Sequence, residues 1–177
     1  MTEGLIGEGA ALKFGDGIST DLIAPGRYFH LRSNLPELAK HVLEDATLLH
    51  TKQKFTEVMS KGDYVVGGEN FGLGSSREHA PTIIKNSGIR AVLAKSFARI
   101  FFRNAINIGL PVIQCDTDKI ESNDLLEVNL KQGVVINKSQ DIRLSFQPLP
   151  EIMIQILHAG GLVDYVKQNQ GLVLPSA

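Results

Sequence analysis

The chain has 177 residues, 43% hydrophobic and 21% charged, and 18 basic against 19 acidic residues leave a formal net charge of -1. That balance excludes the basic footprint of a nucleic-acid binder, and no apolar run approaches the ~20 residues a membrane-spanning helix needs. The single cysteine, Cys115, excludes an intrachain disulfide, a zinc site on paired cysteines and an iron–sulfur cluster held by this chain alone.

In chain order, Met1-Thr2-Glu3-Gly4-Leu5 lacks the basic and apolar regions of a signal peptide, so a cytoplasmic protein is expected. A strand is expected over 11–14, then a Gly15-Asp16-Gly17 turn. A helix is expected from 36 to about 48, with Leu38, Val42 and Leu49 on its apolar side. Tyr64-Val65-Val66 reads as a short buried strand bounded by glycines. Residues 80–86 read as a helix with Pro81 in its first turn and Gly88 as its stop. Ala91-Val92-Leu93-Ala94 is the next strand. A helix over 97–108 should present Phe97, Ile100, Phe101, Asn104 and Ile108 on one face and close at Gly109. Pro111-Val112-Ile113-Gln114 is a third strand. This β-α-β-α-β order predicts a mostly parallel sheet flanked by helices. From 117 to 147 the pattern turns β-rich, with a hairpin of 126–130 and 134–136 around Lys131-Gln132-Gly133. A last helix, 150–159, should stop at Gly160-Gly161, and 171–177 should be loosely held. No repeat or low-complexity linker interrupts the chain, so one α/β domain is expected over 1–177.

The stretch richest in chemistry runs from Gly67 to Pro81. Gly67, Gly68, Gly72 and Gly74 let backbone approach a ligand closely. The loop then enters a helix whose first N–H groups are unpaired and favour an anion. Ser75, Ser76 and Arg77 stand at that corner, which suits a carboxylate or phosphate beside a proton-transfer group. The phosphate-loop pattern fails for want of a lysine, and the dinucleotide fingerprint and nucleophile elbow both fail at Arg77. The plainer alternative is an N-cap, with serine accepting a backbone N–H and Arg77–Glu78 a surface pair worth ~0–1 kcal/mol. A non-catalytic anion-binding or scaffolding domain would use the same corner.

Three blocks carry a resemblance. Gly72-Leu73-Gly74-Ser75-Ser76-Arg77-Glu78-His79-Ala80-Pro81 resembles the signature of the swivelling domain of the aconitase superfamily. The stretch from Gly15 to Pro25, centred on Thr20-Asp21, resembles that domain's first motif, and the stretch from Ala94 to Pro111 its third block. A free-standing chain of this length is similar to the small subunits of two-subunit dehydratases acting on isopropylmalate or homoaconitate. The resemblance implies dehydration and rehydration of a 2-hydroxy acid, with a partner large subunit supplying a [4Fe-4S] cluster. Ser75 matches the catalytic base, its alkoxide stabilised by amides of the glycine-rich turn, Gly74 among them, and by Arg77. Arg77 matches a carboxylate-binding arginine, with Ser76 as a hydrogen-bonding neighbour. Asp21, with Thr20, matches an active-site position, for which the resemblance implies a polar helper or positioning role; on turn chemistry alone Asp21 would be an Asx-turn residue. Relatives differ by substrate in the loop 27–35. There Phe29 and Leu31 would suit an apolar substituent, and Arg32 would suit a distal carboxylate. His79 occupies a signature position without a clear chemical role. His30, His41, His50 and His158 are scattered, and no residue is assigned to a metal.

Overall fold

The computed structural model describes residues 5–173. Most of the N-terminal stretch and residues 174–177 of the expected loose tail lie outside the described residues. Strand β1 (Leu5–Lys13) is followed by a short helix α1 (Thr20–Ile23), a 3-10 segment (Gly26–Leu31), α2 (Leu35–Ala39) and α3 (Phe55–Val58). Then come β2 (Tyr64–Val66), α4 (His79–Asn86), β3 (Ala91–Ala94), α5 (Arg99–Asn107) and β4 (Val112–Gln114). Strands β5 (Leu125–Asn129), β6 (Val134–Asn137) and β7 (Ile142–Ser145) precede α6 (Glu151–Ala159) and α7 (Leu162–Asn169).

Among the described residues, one sheet holds all seven strands in the order β4-β3-β2-β1-β5-β6-β7. The α/β reading holds: β1 to β4 run parallel, with α4 and α5 as the crossovers. Every residue of β2 and β3 is buried, as a parallel sheet covered on both faces requires. The β-rich segment adds β5, β6 and β7 as an antiparallel extension. β1 joins the two halves. Its residues Leu5 to Ala10 pair antiparallel with β5, whereas Ala11 to Lys13 pair parallel with β2.

Four local expectations change. The helix expected over 36–48 ends at Ala39. Leu43 adopts φ +53° and donates its N–H to the Ile23 carbonyl at 3.0 Å, so a tertiary hydrogen bond replaces the helical one. Leu38 and Val42 are nonetheless buried. α5 begins at Arg99, and its buried side chains are Phe101, Ala105 and Ile106, while Ile100 is 51% exposed. Gly160-Gly161 is a bend between two helices, at φ +95° and +137°, rather than the end of helical structure. In α7 beyond it, Tyr165 is buried, and its hydroxyl donates to the Val173 carbonyl at 2.6 Å, tying down the start of the expected loose tail.

Candidate active site at the strand ends

In parallel sheets, ligands sit beyond the carboxyl ends of the strands. β1, β2 and β3 are neighbours there, and each is followed by one of the three sequence blocks. Backbone hydrogen bonds stitch the blocks together. Gly68 N–H donates to Gly15 at 3.0 Å, Gly17 to Glu69 at 2.8 Å, Gly72 to Ile18 at 2.7 Å and Thr20 to Leu73 at 2.8 Å. On the other side, Phe71 N–H donates to Ser96 at 3.0 Å and Ala98 N–H to Phe71 at 2.9 Å. Side chains reinforce this: the Asp16 carboxylate accepts the Glu69 N–H at 2.7 Å, and the Ser96 hydroxyl accepts that of Asn70 at 2.8 Å.

The floor is aromatic. Phe71 lies edge-on to Phe101 and Phe97, with centroids 5.4 and 6.0 Å away; each such pair contributes about 0.5–1.5 kcal/mol beyond its burial. The backbone passes over this floor only because residue 72 is glycine. Gly72 has φ +78°, and a Cβ there would meet Phe101 Cγ at 2.2 Å. Gly72→Ala is therefore expected to cost about 2–4 kcal/mol, combining left-handed backbone strain with overpacking; chemical denaturation would measure it.

Above the floor the chain turns through Gly74, at φ +113°, and presents Ser75 at the surface. Thr20 is buried directly behind it. The Ser75 N–H donates to Thr20 Oγ1 at 3.2 Å, and the two hydroxyl oxygens are 3.3 Å apart. Arg77 extends in the other direction. Its Nη1 meets the Asp21 carboxylate at 2.5 Å and donates to the Ala24 carbonyl at 3.2 Å. Asp21 sits in the first turn of α1, whose N-cap Ser19 accepts the Leu22 N–H at 3.2 Å. One side of the guanidinium is thus committed, and Nε and Nη2 remain for a carboxylate.

Ser75, Ser76 and Arg77, with Gly26, Phe29, Glu78 and His79, line an open cavity of about 560 Å³. It lies at the N-terminus of α4, where the helix dipole favours an anion, although Pro81 has no N–H in that first turn and the Ala80 N–H donates to the Arg77 carbonyl at 3.3 Å. The arrangement can hold a carboxylate between a guanidinium and a helix N-terminus, with a hydroxyl beside it to move a proton.

The expected site residues fall into three groups. Ser75, Ser76 and Arg77 line the cavity. Thr20, Asp21 and Gly74 lie behind it: Thr20 bonds Ser75, Asp21 bonds Arg77, and Gly74 provides the turn. Arg32 stands apart. Its guanidinium packs 4.7 Å over the Phe29 ring and donates to the Phe29 carbonyl at 3.4 Å. Phe29 itself forms a cavity wall with His79, edge-on at 6.3 Å. Gly26, Glu78 and His79 are the wall residues that sequence reasoning did not assign. For Glu78 and His79 the available signal was adjacency to the signature block.

The segment carrying Gly26 and Phe29 is anchored from outside. Arg27 holds the Asp45 carboxylate with bonds of 2.5 and 2.8 Å and lies over Tyr28, which stacks on His41 at 3.7 Å. The bond from Arg27 keeps the Asp45 carboxyl below its usual range, and His41 does the same for Glu44. Among the described residues no group of three or more His, Cys, Asp or Glu could hold a metal ion, and no helix is long and apolar enough to cross a membrane. Cys115 is buried away from the cavity, and desolvation pushes its thiol up to about 12.

Comparison with known proteins agrees with the geometry. Residues 38–117 match the Aconitase C-terminal domain family. The chain is 59% identical to 3-isopropylmalate dehydratase small subunit 2 of Archaeoglobus fulgidus, over 91% of its own length and 94% of the relative's. It is 54% identical to small subunit 1 of the same enzyme from Thermotoga maritima, over 91% and 95%. The crystal structure of 3-isopropylmalate dehydratase from Methanocaldococcus jannaschii superposes with a TM-score of 0.84 at 42% identity, covering 94% of this chain and 95% of that one. The chain belongs to the family of 3-isopropylmalate dehydratase small subunits, within the aconitase group.

Proposed function

We propose that this chain is the swivelling-domain small subunit of a cytoplasmic, two-subunit 3-isopropylmalate dehydratase of leucine biosynthesis, folded as one domain. The observation that carries the reading is the joining of Ser75 and Arg77 in one cavity, each held by a neighbour from the first block. The high identity with small subunits over nine-tenths of the chain supports it.

In this reading Arg77 grips a substrate carboxylate through Nε and Nη2 while Asp21 and Ala24 hold its far side. Ser75 takes the proton from the carbon next to that carboxylate. The C–H electron pair becomes the new carbon–carbon double bond as hydroxide leaves the neighbouring carbon, and hydration reverses the sequence at the other position. The positive end of the α4 dipole adds potential where charge develops. A serine alkoxide needs such surroundings and a water-free site, and the openness of the cavity leaves its closure to a partner. That partner is the large subunit, which carries a [4Fe-4S] cluster; this chain has one cysteine, buried away from the cavity, and such a cluster needs several thiolates. When bound, the cluster supplies a Lewis-acidic iron for the departing hydroxyl.

The apolar face of Phe29 in the cavity, with Arg32 packed against that ring, favours isopropylmalate over acids bearing a further carboxylate. A substrate panel tests this on the complex reconstituted anaerobically with its cluster-bearing large subunit. Isopropylmalate is expected to be turned over with the highest kcat/KM, ahead of homoaconitate and citrate. Failure to dehydrate any hydroxy acid would refute the enzyme reading. Arg32→Ala should leave isopropylmalate turnover within about threefold, as for a side chain that does not touch the substrate; a selective loss with tricarboxylic acids would give Arg32 the distal carboxylate.

A further inference from the structure

The hydroxyl of Thr20 is placed to act on Ser75, and nothing in the cavity competes for it. Thr20 is 1% exposed. It begins α1, its own N–H is bonded to the Leu73 carbonyl, and its carbonyl accepts from Ala24. The backbone therefore fixes the side chain, and the hydroxyl has one neighbourhood, the turn at Gly74 and Ser75. A Cβ at residue 74 would come within 3.0 Å of Thr20 Oγ1, so the glycine there keeps the approach open. Oγ1 already accepts the Ser75 N–H. The remaining partner for its proton among the described residues is Ser75 Oγ, 3.3 Å away.

In the resting site either hydroxyl can donate to the other. Once Ser75 loses its proton only one arrangement survives, with Thr20 donating to the alkoxide. We infer that Thr20 is a positioning residue whose buried hydroxyl both orients Ser75 and donates a hydrogen bond to its alkoxide, without touching substrate. This rests on Ser75 being the base. It gives a specific task to Thr20, which the resemblance places beside Asp21 at an active-site position. A donor aimed at an oxyanion from a buried, backbone-fixed position needs little reorganisation when the charge forms.

Three variants test this in the reconstituted complex, with a spectroscopic readout on the full chain alone. Thr20→Val keeps the shape and loses the hydroxyl; kcat should fall between about 10- and 100-fold, as for loss of one hydrogen bond to a charged group, with KM within about twofold. Thr20→Ser should restore most of the turnover. Thr20→Ala should show the same kcat loss as valine without the added methyl group. For the second readout, Ser75→Cys places a titratable thiol at the base position, and its thiolate absorbance at about 240 nm is followed against pH. Adding Thr20→Val to Ser75→Cys should move that titration up by about one pH unit. The thiol of Cys115, pushed up to about 12, stays silent in the range used. An unchanged titration, or full turnover in both Thr20→Val and Thr20→Ala alongside an inactive Ser75→Ala, overturns the role of Thr20. Full turnover by Ser75→Ala instead removes the base itself, and the inference with it.

Discussion

Replacing Ser75 by alanine is expected to lower isopropylmalate turnover by about a thousandfold, in the range that loss of a general base commonly costs. KM should change little, because the carboxylate contact belongs to Arg77. Stability should fall by no more than about 1 kcal/mol: the side chain is at the surface, and the structure loses one hydroxyl–hydroxyl contact. The Ser75 N–H bond to Thr20 does not use the side chain and survives. Steady-state kinetics of the reconstituted complex, with a melting curve of the variant chain, would check both parts. Turnover near that of the wild type would move the proton-abstracting group elsewhere.

Arg77→Lys is expected to reduce kcat/KM at least about 100-fold. Two charge-assisted hydrogen bonds to the carboxylate are lost, each of about 1.5–3 kcal/mol, and an ammonium cannot span Asp21, Ala24 and a ligand as the planar fork does. The Asp21 side chain is 68% exposed, so the pair adds at most about 1 kcal/mol to folding, and the variant should melt near the wild type. Its importance is directional. Asp21→Asn keeps a hydrogen bond but removes the charge, and a loss of about tenfold in kcat/KM is expected from a less well-held guanidinium. If Asp21→Asn cost as much as Arg77→Lys, Asp21 would be touching the substrate itself.

The elements best foreseen were those whose signals are local. β2, α4, β3 and β4 fell within a residue or two of expectation, because apolar runs bounded by glycine or capped by Pro81 need no distant information. Residues 36–48 looked helical for equally local reasons, yet the Leu43 amide found its partner on Ile23 and the helix stopped at Ala39. The paired glycines at 160 and 161 read as a terminator, although Leu162, Tyr165 and Val166 beyond them keep helical spacing. A glycine pair marks a change of direction, and only packing decides whether helix resumes.

The site divides in the same way. Gly74, Ser75, Ser76 and Arg77 are consecutive, and their chemistry is legible from residue type and the helix start that follows. Arg32 stands out only through the resemblance of its loop to the one in which relatives differ by substrate, and its stacking on Phe29, away from the cavity lining, cannot be read from spacing. The sequence by itself determined which groups are available: a glycine-rich corner leading into a helix, with Ser75, Ser76 and Arg77 consecutive upon it, and a single cysteine. Only the tertiary structure decided how those groups are held. Thr20 and Ser75 are separated by 55 positions and Asp21 and Arg77 by 56, yet they meet because β1 and β2 run parallel and end side by side. Residue type and local spacing are short-range properties, whereas hydrogen-bond partners across a sheet are set by strand order and register.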